Sequence, residues 1–532
     1  MSSAAKSLAL ADVVGCEFDA RGEGLRALVL ADTEVVSHPA GSLSGVLHPE
    51  AGSAPQAVRS LAADVRTAPL RPLLVSGRGL RCAGPDADAL LAALAEAAGG
   101  AAGGWRAEPG EGGLVQLTAS GPAWQPRLWV GLATAIFTAG STRVLVGTRA
   151  LLGEGWDAPC LNCLIDLTAA ATAVSVMQSR GRVLRLDPRD PDKIASHWDI
   201  VCTAPELVRG TADYERFVRK HQHLFAPAED GAIEAGLSHV HPALGPFAPP
   251  PGNSFGEINR QMTGRAAGHE QARDRWRIGQ PYTGSEQQTL VILPRHPGKH
   301  KHEPAAGQPP RYSLSQKAPA ITAAAAAALT LAITAASADP LALAGLAAVP
   351  AALGWAGLRL ARTQRALADP LPLDLVARTI CDAYLMLGEL TSQAAGSLAI
   401  EPRASGYLRC HLAAASAAEN AHFTRALDQA LSPASFPRYL ISRLVPEPGR
   451  APLRPLARAL SGKAPFGRRW VAVPDDFGRS RQRANAYAAA WRRWLGPAEL
   501  QFTQQTAAGQ EAAATAGAQA ADYQTSTRRI WV

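Results

Sequence analysis

Over the first 225 residues, short apolar runs alternate with amphipathic stretches. The runs at residues 26–31, 72–76, 114–118, 143–147, 161–167 and 198–202 have the length of strands. Most lack a polar alternation, the mark of strands buried on both faces. Between them, residues 3–20, 86–98, 128–138 and 173–184 carry helical spacing. Strands alternating with helices predict an α/β domain over 1–225: a parallel sheet with flanking helices. In such sheets ligands sit beyond the carboxyl ends of the strands. Residues 99–104 read as a flexible Gly/Ala stretch.

The pattern then changes. Residues 226–315 are rich in Pro, Gly and His and show little periodicity, so they read as a long connector with short ordered pieces and a basic, His-containing loop at 295–302. Residues 316–365 read as an apolar helical hairpin, turned at Asp339-Pro340. Its flanks, 318–336 and 341–358, approach the roughly 20 residues that span a bilayer. Lys317, Arg359 and Arg362 stand at the outer ends, as the positive-inside rule asks of a hairpin with both ends cytoplasmic. Alanine is barely hydrophobic, so a hairpin buried in protein is the competing reading. Residues 366–532 form a smaller α+β module, with helices expected at 373–394, 408–430 and 481–495. Strands are expected there at 438–443, 470–474 and 500–503, before an Ala-rich tail.

Composition adds bounds. A chain of 532 residues is too long for one core. A net charge of +8 suits a polyanionic partner, nucleic acid or an anionic membrane face, as well as a plain excess of Arg. Seven scattered Cys argue against a disulfide framework and for a reducing compartment. Cys160 and Cys163 form a lone CxxC without a second pair at finger spacing, so they read as buried thiols rather than zinc ligands. His239 and His241 are candidate metal ligands whose partners the sequence does not show; no metal is expected. The N-terminus has no secretory pattern.

The densest chemistry runs from Val144 to Arg185: VLVGTRALLGEGWDAP, a strand, then QSRGRVLR. Gly147 and Thr148 fall at the carboxyl end of a strand. The glycines of Gly153-Glu-Gly155-Trp-Asp157 let backbone approach a ligand closely. Arg182 and Arg185, three apart, share a helix face, and two guanidiniums on one face suit a phosphate gathering negative charge.

These two segments resemble motifs V and VI of superfamily 2 helicases, closest in flavour to bacterial excision-repair and restriction motors. The strand ending before Asp32 resembles motif IV. The resemblance implies a RecA-like second lobe over 1–225. It implies that Gly147, Thr148 and Arg149 contact nucleic-acid phosphates, DNA rather than RNA. Gly155 and Asp157 would link that face to the nucleotide. Gln178 would lie near the γ-phosphate or attacking water, and Arg182 and Arg185 would be arginine fingers. ATP and Mg²⁺ would be held mainly by a first lobe.

That first lobe is not in this sequence. The only Gly-Lys pairs, Gly298-Lys299 and Gly462-Lys463, lack the Walker A pattern, and no Asp-Glu pair occurs. The chain alone is therefore expected to be inactive as an ATPase. A truncated product, a lobe encoded separately, or a non-catalytic binder each explain the absence; the first is favoured. The expected protein is the C-terminal part of a helicase or translocase, cytoplasmic or attached to the inner face of the cell membrane through 318–358. The alternative is a nucleic-acid-binding or membrane-tethering protein that keeps the lobe for interaction only. Basic and aromatic residues interleave at 273–277 and 479–494. They could follow a phosphate backbone, but a solvated Arg face over inward Trp is the favoured reading.

Overall fold

A computed structural model describes residues 4–33, 52–99, 103–121, 124–152, 155–229, 231–277, 279–281, 283–295, 371–403, 406–432, 437–446, 466–504, 507–517 and 522–531. The chain divides into two compact units, Met1–Tyr282 and Thr283–Val532.

The first unit is built from α1 (Ala4–Arg21), β1 (Ala27–Ala31), α2 (Ala54–Ala63), β2 (Leu73–Ser76), β3 (Gly79–Cys82) and α3 (Ala87–Ala98). It continues through β4 (Gly103–Pro109), β5 (Val115–Ser120), α4 (Pro126–Ala139), β6 (Val144–Thr148), α5 (Arg149–Leu152) and β7 (Cys163–Asp166). It ends with α6 (Ala173–Val183), β8 (Ser196–Asp199), α7 (Ala212–His221), β9 (Phe225–Pro227), β10 (Ile233–Ala235), α8 (Phe255–Ala267) and α9 (Gln271–Arg275). Eight strands form one sheet in the order β4-β5-β3-β2-β6-β1-β7-β8. From β2 to β8 the neighbours run parallel; β3, β4 and β5 add an antiparallel flank.

The apolar strands divide their side chains between two cores. Ala27, Val29 and Ala31 of β1 face one core with Leu10 and Val14 of α1 and Val58 and Leu61 of α2. Leu28 and Leu30 face the other, with Leu90 and Leu94 of α3 and Ile136 and Phe137 of α4. Burial on both faces is why β1, β6 and β7 show no polar alternation. The result is a mostly parallel sheet with flanking helices, as the alternation of elements predicts.

Over 226–282 the short ordered pieces expected of the connector pack together. β9 and β10 pair as a hairpin there. Leu237, Leu244 and Ile258 of α8 form a small core with Tyr214 and Phe217 of α7. These apolar residues are too widely spaced to show a period, so only their long-range packing reveals the structure.

The second unit contains β11 (Glu286–Pro294), α10 (Leu373–Met386), α11 (Ser392–Gly396), β12 (Leu398–Pro402), β13 (Leu408–Leu412), α12 (Ala417–Leu431) and β14 (Tyr439–Pro446). It closes with β15 (Phe466–Ala472), α13 (Asp475–Gly478), α14 (Arg481–Leu495), β16 (Leu500–Phe502), α15 (Ala507–Gly517) and β17 (Tyr523–Trp531). Antiparallel pairs join β12-β13-β11-β17 and β15-β14-β16. α10, α12 and α14 share one core, including Tyr384, Phe423 and Trp491. The helix expected over 408–430 is two elements. Cys410 and Leu412 alternate into the core as β13, and Ser416 with Glu419 forms a capping box that starts α12 afresh. The apolar hairpin, 318–358, lies outside the described residues. Among those described, no helix is long and apolar enough to cross a membrane.

Candidate functional site

The parallel strands end together, and the residues that follow them supply the site. At the end of β6, Gly147 is buried between β1 and β2, paired with Leu30 and Val75. A Cβ there would meet Leu152 Cδ1 at 2.5 Å and the Val75 carbonyl at 3.0 Å. Packing of α5 against the strand, not approach of a ligand, is therefore what requires this glycine. Thr148 is half-buried and Arg149 exposed. Arg149 Nη1 donates to Ser175 Oγ at 2.7 Å, tying α5 to the first turn of α6. Thr172 caps that turn by accepting from Ser175 N.

α6 carries Gln178 and Arg182, and Arg185 follows one residue past its cap. Together with Gly155 and Gly181 they line an open hollow of about 470 Å³. Gly155 is exposed at φ +75°, a left-handed conformation that favours glycine. Arg182 donates to the carbonyl of Trp156, and Arg185 pairs with Asp157. Arg185 and Asp157 are about half exposed, at 47% and 53%. The structure thus gathers Gly155, Gln178, Arg182 and Arg185 around one surface hollow, with Asp157 paired to Arg185. Thr148, Arg149 and Gly147 stand apart from it, and Gly147 presents no side of itself to solvent.

A second group, missed in the sequence, lies behind α6. Asp166 and Asp199 end β7 and β8 as register partners. Lys220 Nζ bridges them at 2.7 and 2.9 Å. His221 Nε2 lies 3.2 Å from Asp199 Oδ2, and Arg180 Nη2 lies 3.5 Å from the same oxygen. His239 Nε2 sits 3.2 Å from His221 Nδ1. Burial works against ionisation of Asp199, but the His221 hydrogen bond and the Lys220 ammonium hold it well below the usual carboxylate range. Burial depresses His221, aided by Arg180 and Lys220, and takes His239 down to about 3. It also takes His197 far below its ordinary value. The two carboxylates are thus matched by two cations, Lys220 and Arg180, with neutral imidazoles around them.

Asp166, His197 and Asp199 each place a ligand atom within 4.8 Å of the others, a spacing a metal ion could use. The ammonium of Lys220 already fills the cation seat between the carboxylates, and a further divalent charge would go uncompensated. Of the suggested pair His239 and His241, the first joins this network. The second bonds Gln261 at 2.6 Å and accepts from Ala243 N at 3.1 Å, so the two do not converge.

The other candidates have structural explanations. Cys160 and Cys163 are buried, and the seven cysteines are free thiols. Arg273 pairs with Asp192. In the second unit, Arg483 pairs with Glu389 and Asp476, Arg493 with Asp382, and Trp491 is fully buried. That stretch of α14 behaves as a solvated Arg face over inward aromatics.

No protein-family model matches the chain, and no curated protein is found similar to it. Among solved structures, it is similar to an ATP-dependent Type ISP restriction-modification enzyme, LlaBIII, bound to DNA, with a TM-score of 0.21 and 10% identity. The match covers 72% of this chain and 21% of that enzyme, so the chain spans about a fifth of its length. Likeness at that TM-score supports no inference about activity.

Proposed function

We propose that the first unit is the second lobe of a nucleic-acid motor, presenting Arg182 and Arg185 to a triphosphate held by another lobe. One observation carries this reading. Two segments more than twenty residues apart in sequence, Gly155–Asp157 and Gln178–Arg185, meet at a single exposed hollow. Arg185 is half exposed, and both guanidiniums border open space.

In this reading the chain's own residues do electrostatic work. Arg182, braced on the Trp156 carbonyl, has a fixed direction. Arg185 is held in reserve by Asp157 and exchanges that carboxylate for a phosphate oxygen as the lobes close. Gln178 orients the attacking water. ATP with Mg²⁺ would supply the reactive phosphoryl group and its neutralising charge, held mainly by the other lobe, since this sequence has no phosphate cradle. Thr148 and Arg149, at the end of β6, meet the nucleic-acid backbone, with DNA as the expected strand.

The test is ATP turnover, measured for the chain alone and after addition of a RecA-like lobe bearing Walker A and B motifs. No turnover is expected from the chain alone. The pair should hydrolyse ATP, and Arg185→Ala should cut its rate by about 10³-fold or more while ATP binding persists. Robust hydrolysis by the isolated chain, or full activity of the Arg185→Ala pair, overturns the proposal.

A further inference from the structure

In the network behind α6, the direction of each hydrogen bond depends on where the His221 proton sits. Arg180 Nη2 lies 3.1 Å from His221 Nε2, and both lie within reach of Asp199 Oδ2. A guanidinium only donates. If His221 Nε2 were unprotonated, it would accept from Arg180 but set its lone pair against a buried carboxylate 3.2 Å away. If it carries the proton, both Arg180 and His221 donate to the same negative oxygen. The second arrangement is electrostatically favoured. It leaves His221 Nδ1 as an acceptor, so His239 Nε2 must donate across the 3.2 Å between them. One chain of donors follows: His239 to His221 to Asp199, with Arg180 reaching the same Asp199 oxygen beside His221 and Lys220 holding its other oxygen.

Arg180 stands on the inner face of α6; Gln178 and Arg182 stand on the outer. We infer that Arg180 is a positioning residue: its bond to the Asp199 carboxylate, shared with His221, clamps α6 to the end of β8 and to α7, and so fixes the direction in which Gln178, Arg182 and Arg185 face the hollow. What those three do there rests on the reading under Proposed function; the clamp itself does not. Every charged or titratable group facing His221 belongs to the account: Arg180 from α6, His197 and Asp199 from β8, Asp166 from β7, Lys220 beside it on α7, and His239 from the following loop. Phe217 packs edge-on against its ring at 4.7 Å, which keeps the imidazole from turning away.

Two measurements on the full chain test it. Long-range proton–nitrogen NMR on ¹⁵N-histidine protein at pH 7 should show His221 neutral, with the proton on Nε2, and His239 neutral with the proton on Nε2. A proton on His221 Nδ1 overturns the inference. Amide hydrogen exchange should then compare wild type with Arg180→Met and Arg180→Lys. In Arg180→Met, exchange over Val176–Val183 is expected to rise at least tenfold while β1 and β6 stay unchanged. Arg180→Lys, which keeps a cation near Asp199, should recover most of the protection. Unchanged α6 protection in Arg180→Met removes the clamp. If Arg180→Met does not fold, the tautomer measurement and the lysine variant still decide. Neither readout uses nucleotide, DNA or a partner lobe, so failure of the motor reading leaves the clamp standing. Conversely, a rigid α6 in Arg180→Met removes the clamp and leaves the motor reading untouched.

Discussion

Gly147 shows how one residue can be needed for a reason other than the expected one. The resemblance made it a contact to nucleic-acid phosphates; its surroundings show Leu152 and the Val75 carbonyl closing over it. Gly147→Ala should therefore cost about 1–3 kcal/mol of stability, the usual penalty of overpacking, read as a lower denaturant midpoint. Arg185 and Asp157 predict the reverse. Their pair is about half exposed, and exposed pairs contribute about 0–1 kcal/mol. Arg185→Ala and Asp157→Ala should leave the thermal midpoint within a few degrees of wild type. A large drop for either variant would mean that the pair serves the fold. The contrast separates positions whose loss unfolds the protein from those whose loss can be blamed on function.

At the level of elements, the buried network behind α6 makes stability depend on pH. Burial holds His197, His221 and His239 below their ordinary values, His239 to about 3. The unfolded chain takes up a proton near 6.5 that the folded chain refuses, so stability falls as pH drops below 6.5. One such histidine contributes a loss on the order of 1–2 kcal/mol between pH 6.5 and 5. Glu17 acts lower down. Burial works against its charge, but His269, Arg21 and Trp198 hold it at about 2, so its contribution stays until pH falls below about 4.5. Chemical denaturation at pH 7.5, 6.5 and 5.5 should show a falling midpoint. His239→Gln, which keeps a donor toward His221 but does not titrate, should flatten the curve; a flat wild-type curve counts against buried neutral histidines. Apart from His239, named as a candidate ligand, none of this network was legible beforehand. Its members come from residues 166, 180, 197, 199, 220, 221 and 239, and no local period brings them together. β1, β2, β6 and β7 were legible because double-sided burial writes a continuous apolar run. β3 hides a buried Arg81 within four residues, and β4 is Gly-led and largely exposed, so neither shows a strand pattern. The two segments that resemble motifs V and VI were legible as local strings, but that they share one hollow is a fact of tertiary structure.

For the whole molecule, charge is the property that reaches furthest. Against 45 acidic residues stand 53 Lys and Arg, and much of that positive charge is already paired within the fold, as at Arg483, Arg493 and Arg180. Each such pair removes a positive and a negative charge together and leaves the net +8 unchanged, so the position of the unpaired cations decides what a polyanion would meet. The relevant quantity is how many phosphates the chain neutralises, and salt dependence counts them. If the end of β6 and its surroundings meet about three phosphates, log affinity should fall with log salt at a slope of about −3. Between 50 and 200 mM NaCl that amounts to roughly 60-fold. Fluorescence anisotropy with labelled single-stranded and duplex 20-mers measures it directly. Arg149→Ala gives the sharper comparison. Arg149 is exposed and donates to Ser175 Oγ, so replacing it disturbs little of the core. The variant should bind more weakly across all sequences and lower the slope by about 1. Binding that ignores salt, or an unchanged slope in Arg149→Ala, would move the nucleic-acid contact away from this strand end and leave the arginine hollow without its second substrate.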